Sequence, residues 1–131
     1  MAVSKVKVLF SCDVQKAWDT VTDLTDWSWR SDLERIEAVS GTEFVEYTKD
    51  GYATAFTVTK TEPCRRWEFD MENGNMRGHW TGVFSVENGK AAIEFTEDVT
   101  AKKALMRPFV GMYLRKQQAR YIADLSRRLS E

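Results

Sequence analysis

Few residues in this 131-residue chain carry reactive side chains, and their types narrow the chemistry at once. The chain has one histidine, His79, and two cysteines, Cys12 and Cys64. A Ser-His-Asp or Cys-His nucleophile needs a histidine oriented by a third group. Strand alternation puts His79 on the wet side of a sheet, beside an inward Trp80, so it reads as a surface residue rather than a base. One histidine and two distant cysteines do not supply the three or four ligands of a zinc site, and no Gly-rich phosphate loop is present. No metal and no cofactor is expected.

Glu97 is the best candidate for chemistry. It shares parity with Ile93 and Phe95, which aims it at the apolar side of its strand. A carboxyl group in apolar surroundings has a raised pKa and can act as general acid or base, as an aldol cyclase would require. The competing reading places Glu97 at the strand's wet end or in a pair with a basic residue of the C-terminal helix. Tyr47, Tyr113 and Tyr121 could donate hydrogen bonds to a ligand carbonyl, or sit in the core with a wet hydroxyl. Asp23 and Asp26 resemble a carboxylate pair, but closing a helix next to a loop explains Asp23.

The elements that hold these residues are legible from periodicity. Residues 3–10 alternate, with Val6, Val8 and Phe10 on one side, and predict a half-buried strand. Val14, Ala17, Trp18, Val21 and Leu24 follow at helical spacing behind the N-cap candidates Ser11 and Asp13, giving a helix over 13–23. The connector around Trp27 and Trp29 has no clear period. From 32 to 100 the chain reads as six strands, at 32–40, 42–48, 52–61, 65–71, 75–86 and 91–99. Asp50-Gly51, Asn73-Gly74 and Asn88-Gly89 mark hairpin turns, so the strands form an antiparallel meander. The remainder, 101–131, is a helix whose apolar stripe includes Leu105, Phe109, Met112, Tyr113, Tyr121 and Leu125, with a kink or break expected at Pro108.

Composition bounds the class. The chain is 43% hydrophobic and 30% charged, as ordinary globular proteins are, and its length fits a single domain over 1–131. No apolar run approaches the ~20 residues that span a bilayer. The first residues, Met1 to Lys5, lack the apolar core of a secretion signal. A cytoplasmic protein with free thiols, monomeric or homodimeric, is the expectation. Net charge is −1 but uneven: eight basic and two acidic residues from Ala101 onward give +6 and leave −7 for the first hundred. A basic helix lying on an acidic sheet accounts for this. The basic residues are spread rather than clustered, so neither nucleic acid nor integral membrane association is expected.

Strand parity gathers Phe56, Trp67, Phe69, Trp80, Phe84 and Phe95 on one apolar face, against a polar face carrying Glu68, Asp70, His79 and Glu94. A twisted sheet of six or seven strands presents more apolar face than one helix of ~10 Å diameter covers. The sixteen aromatic residues either fill that gap as solid core or line a pocket.

The order of elements resembles the helix-grip fold of the START-like superfamily, which includes polyketide cyclases and lipid-transfer domains. The helix Val14-Gln15-Lys16-Ala17-Trp18-Asp19-Thr20-Val21-Thr22-Asp23 is similar to the family's first helix, and Trp27 matches a tryptophan that follows it. Gly78-His79-Trp80-Thr81-Gly82-Val83-Phe84 and Ala92-Ile93-Glu94-Phe95-Thr96-Glu97 resemble its late strands, although Ala91-Ala92 stands where Gly-Thr is common. The resemblance covers the whole chain. It implies an α+β architecture: a strand, two short helices, a six-stranded antiparallel run and a long C-terminal helix. It further implies a cavity for a lipid, isoprenoid or aromatic polyketide, reached between that helix and the loops near Trp27–Trp29. The candidate lining is Trp27, Phe56, Trp67, Phe69, Trp80, Phe84, Phe95, Phe109, Met112 and Tyr113. The alternatives are a cyclase-type enzyme using Glu97 and a protein-interaction module of the chaperone-assisting kind.

Overall fold

The computed structural model describes residues 2–131; Met1, the first residue of the stretch read for a secretion signal, lies outside them. Seven strands form one antiparallel sheet: β1 (Ala2–Phe10), β2 (Leu33–Ala38), β3 (Glu43–Thr48), β4 (Ala53–Glu62), β5 (Arg66–Glu72), β6 (Met76–Glu87) and β7 (Lys90–Ala101). Their spatial order is β1-β7-β6-β5-β4-β3-β2. Every strand from β2 to β7 pairs with its sequence neighbour, as the hairpin signals predict. At the Asn88-Gly89 turn both residues adopt positive φ, 53° and 74°, the geometry of a tight hairpin.

The one non-sequential pairing sets the shape. β1 pairs with β7, while β2 lies at the opposite edge. The segment 11–32 must therefore cross the sheet from one edge to the other. It does so as helix α1 (Val14–Thr22) and an irregular connector that together close one end of the inner face. Asp13 caps α1 by accepting from the Lys16 amide at 2.7 Å. Trp18 then packs edge-on to Phe84, with centroids 5.0 Å apart.

The second short helix implied by the family resemblance is not there. Asp23 Oδ1 accepts from the amide and hydroxyl of Thr25, and Asp26 Oδ1 from those of Ser28. These side chains cap the local backbone two residues on, which favours turns over a continuing helix.

After β7 a single 3-10 turn (Ala104–Met106) leads into α2 (Arg107–Leu129), with Pro108 in the first turn of the helix, where a missing N–H costs nothing. The expected break at Pro108 is thus a helix start. α2 packs mainly on β1 and β7 at one side of the sheet. Its C-terminal half is tied down from several directions: Asp124 accepts from the amide and hydroxyl of Ser31 at 2.8 Å, Arg128 pairs with Asp26, and Lys16 Nζ donates to the Glu131 carbonyl. No helix among the described residues is long and apolar enough to cross a membrane. Both Cys12 and Cys64 are free thiols.

Candidate functional site

Because α2 sits to one side, the inner faces of β2 to β5 face a space that the helix roofs without filling. That space is a cavity of about 180 Å³. Its walls are aromatic. Phe44 stacks on Phe56 at 4.8 Å and Phe69 on Trp80 at 4.8 Å, with Trp67 edge-on to Phe69 at 5.3 Å. Trp80 lies over Gly82: a Cβ there would come within 2.6 Å of the indole ring, so only glycine lets the ring lie flat along the wall.

Of the residues expected to line a pocket, Trp27, Phe56, Trp67, Phe69, Trp80 and Tyr113 do so, and Glu97 faces the same space. Four do not. Phe84 is spent on Trp18, sealing α1 to the sheet. Phe95 is 1% exposed and packs among Phe10, Trp80 and Tyr121 as solid core. Phe109 and Met112 are 56% and 61% exposed. The face of α2 that turns inward runs through Val110, Leu114 and Gln118, so the neighbouring positions Phe109 and Met112 rotate away from the sheet.

The two tryptophans of the connector are held in place. Trp29 is buried, and Trp27 is fixed by its indole N–H donating to the Glu34 carbonyl at 2.9 Å. Among the aromatic lining residues the most open to solvent are Tyr52, after the β3–β4 turn, and Tyr113, on the N-terminal half of α2; the lining carboxylates Asp23 and Glu72 are exposed as well.

A half-buried polar cluster that the sequence reading missed borders the same space. Arg30 donates from Nε and Nη2 to the two oxygens of Asp32, at 3.2 Å each. It also donates from Nη1 and Nη2 to Glu46, at 3.3 and 3.5 Å. Its guanidinium lies 5.0 Å from the centroid of Tyr121 and 5.7 Å from that of Trp29. Burial opposes the charge of Arg30, but Glu46 and Asp32 outweigh it and hold the pKa above its ordinary value. Glu46 had a sequence signal: it shares parity with the inward Phe44, as Glu97 does with Phe95. Arg30 had none, because the connector has no period.

Glu97 lies beside Trp80 across the β6–β7 pair. No hydrogen bond to its carboxylate is formed among the described residues. Loss of water raises its pKa to about 7; Arg30 opposes that rise and Glu46 adds to it. The group is therefore poised between acid and base near neutrality. Tyr121, also on the cavity wall, has its hydroxyl pKa pushed above the ordinary value, chiefly by burial.

The remaining candidates lie elsewhere. Tyr47 is on the outer face under the Arg35 guanidinium, 3.7 Å from its ring centroid. His79 is also outside, held at 2.7 Å by both Asp70 and Glu68; partial burial opposes its charge, but the two carboxylates raise its pKa.

The fold has many solved counterparts. A START superfamily protein from Mycobacterium smegmatis superposes with a TM-score of 0.86 at 10% identity, covering 99% of this chain and 98% of that one. The protein XoxI from Bacillus cereus gives 0.82 at 10% identity, covering 100% and 97%. The di-domain ARO/CYC BexL from the BE-7585A biosynthetic pathway gives 0.82 at 11% identity, covering 97% of this chain and 46% of that one. At such identities the likeness shows the helix-grip fold alone. No curated protein matches the sequence. The sequence does match, over residues 1–131, the family described as polyketide cyclase / dehydrase and lipid transport, and the chain belongs to that family.

Proposed function

We propose that the protein binds one hydrophobic small molecule in the cavity between the sheet and α2. The observation that carries this reading is the void itself. Its aromatic walls stack on one another yet leave about 180 Å³ between them, in a chain that buries Phe95, Ile93 and Leu125 almost completely. A ligand of matching shape gains dispersion contacts with these walls and removes their apolar surface from water. The volume suits a compact ring system better than a long acyl chain. Family membership and the likeness to an ARO/CYC domain both support a ligand of that kind.

The test is native mass spectrometry of protein purified without delipidation, followed by titration with the neutral dye Nile red. One bound molecule per chain and saturable fluorescence are expected. A cavity-filling Ile36→Trp variant, placed on the lining, is expected to weaken dye binding about tenfold or more. Dye binding unchanged in that variant would locate the site elsewhere.

A second reading is favoured by one specific observation: the unpaired Glu97, with a pKa of about 7, stands at the cavity's inner end. Such a group can move a proton on a bound carbonyl compound. Under this reading Glu97→Gln abolishes turnover while the ligand still binds.

A further inference from the structure

We propose that the cavity selects hydrophobic molecules that carry a basic nitrogen, and that Glu97 receives that nitrogen; the inference rests on the binding reading above and names its ligand class. Three independent features carry it.

The first is charge. Arg30 is the only cation among the described residues that line the cavity, against six carboxylates: Asp23, Asp26, Asp32, Glu46, Glu72 and Glu97. Asp26 is neutralised by Arg128 and Glu72 by Lys102, both from outside the cavity. Arg30 faces two carboxylates at once, so the inner cluster is already net negative before Glu97 is counted. A further anion would be repelled there.

The second is donor supply. A ligand carboxylate or phosphate needs free N–H groups. Arg30 directs four N–H bonds at Asp32 and Glu46, out of the five a guanidinium carries. One N–H is left over, so an anionic ligand takes at most a single bond from Arg30, and a bidentate anion would have to displace one of these half-buried carboxylates, leaving it without its partner.

The third is the acceptor left over. Glu97 lies deep on the inner face, makes no hydrogen bond among the described residues, and borders the void next to Trp80. An ammonium group would give this carboxylate its missing counter-charge in a site of low dielectric. The aromatic walls add to that attraction, because ring faces carry the negative end of the quadrupole. A neutral hydroxyl satisfies Glu97 but gains no charge term.

The experiment compares three ligands of one shape by calorimetry at about pH 8, above the pKa of Glu97: naphthylmethylamine, naphthylmethanol and naphthoate. The expected order is amine, then alcohol, then carboxylate, with the amine on the order of tenfold tighter than the alcohol. In Glu97→Gln the ratio of amine to alcohol affinity is expected to fall to about one. A cooperative thermal transition shows that this variant is folded. Naphthoate binding as tightly as the amine overturns the inference, and so does an amine advantage that survives in Glu97→Gln. Nile red binding in the same sample separates the two levels. Dye that binds while the amine shows no preference refutes the ligand class alone; dye that does not bind refutes the cavity reading and the inference together.

Discussion

Glu97 is the residue whose cost and use are most tightly linked. In the unfolded chain it ionises near 4.5, and in the folded protein near 7. Between those values the folded state holds a proton that the unfolded state has released. The stability associated with the protonated form is therefore full below about 4.5 and is lost as pH rises through 7. Arg30, Asp32, Glu46 and Tyr121 face the same space, and a Gln at 97 leaves all of them in place. Urea denaturation of wild type and Glu97→Gln across this range isolates the one group. The two are expected to match near pH 4.5, and the variant to gain on the order of 1–3 kcal/mol relative to wild type by pH 8. Parallel pH profiles would mean that Glu97 is solvated after all. Arg30 obeys the opposite logic. Removing it in Arg30→Met leaves Asp32 and Glu46 half-buried and uncompensated, with an expected loss of about 1–3 kcal/mol at neutral pH. Adding Asp32→Asn and Glu46→Gln is expected to recover much of that loss, which a merely steric role for Arg30 would not allow.

At the scale of elements, the strands and their hairpin turns were legible and the 24–32 connector was not. Period-two alternation placed β1 and β4 to β7 within a residue or two, because each strand has one buried face and a register slip would expose it. The 24–32 connector hid its content: its turns are made by Asp23 and Asp26 side chains, and its key residue, Arg30, belongs to no period. Residue type misled in a different way. Phe109 and Met112 on α2 and Phe95 on β7 are all apolar and of the right size, yet the first two are exposed and the third is solid core. Substitution separates them. Phe95→Ala is expected to cost about 3–5 kcal/mol and Phe109→Ala no more than ~0.5 kcal/mol, both by denaturant melts. Gly82 links the strand scale to the site. In Gly82→Ala the new methyl group strikes the Trp80 ring, which is also stacked on Phe69. A loss of about 1–3 kcal/mol is expected, with weaker dye binding as the indole moves into the void.

Across the whole molecule, α2 is held unevenly, and that unevenness bears on how a ligand gets in. Parity told which side chains converge, but the size of the void depends on rotamers such as that of Trp80, and no pattern encodes those. Opening of the roof likewise depends on where α2 is anchored. Its C-terminal half is fastened through Asp124 to Ser31, Arg128 to Asp26 and Lys16 to the last carbonyls. Its N-terminal half exposes Phe109 and Met112, as the 3-10 turn before it exposes Leu105 and Met106, and touches the sheet chiefly through Val110 and Leu114. Local opening free energy follows such differences in buried contact. Amide hydrogen exchange is therefore expected to be fast over 105–113 and at least tenfold slower around Leu125. A bound ligand should slow exchange near Tyr113 and Gln117, where the roof meets the void, and leave the anchored end unchanged. Asp124→Asn, which weakens the Ser31 clamp, should erase much of the gradient by loosening the C-terminal turns. Uniform protection along α2, with or without ligand, would mean that the helix opens as one unit and that access does not run beneath its N-terminal half.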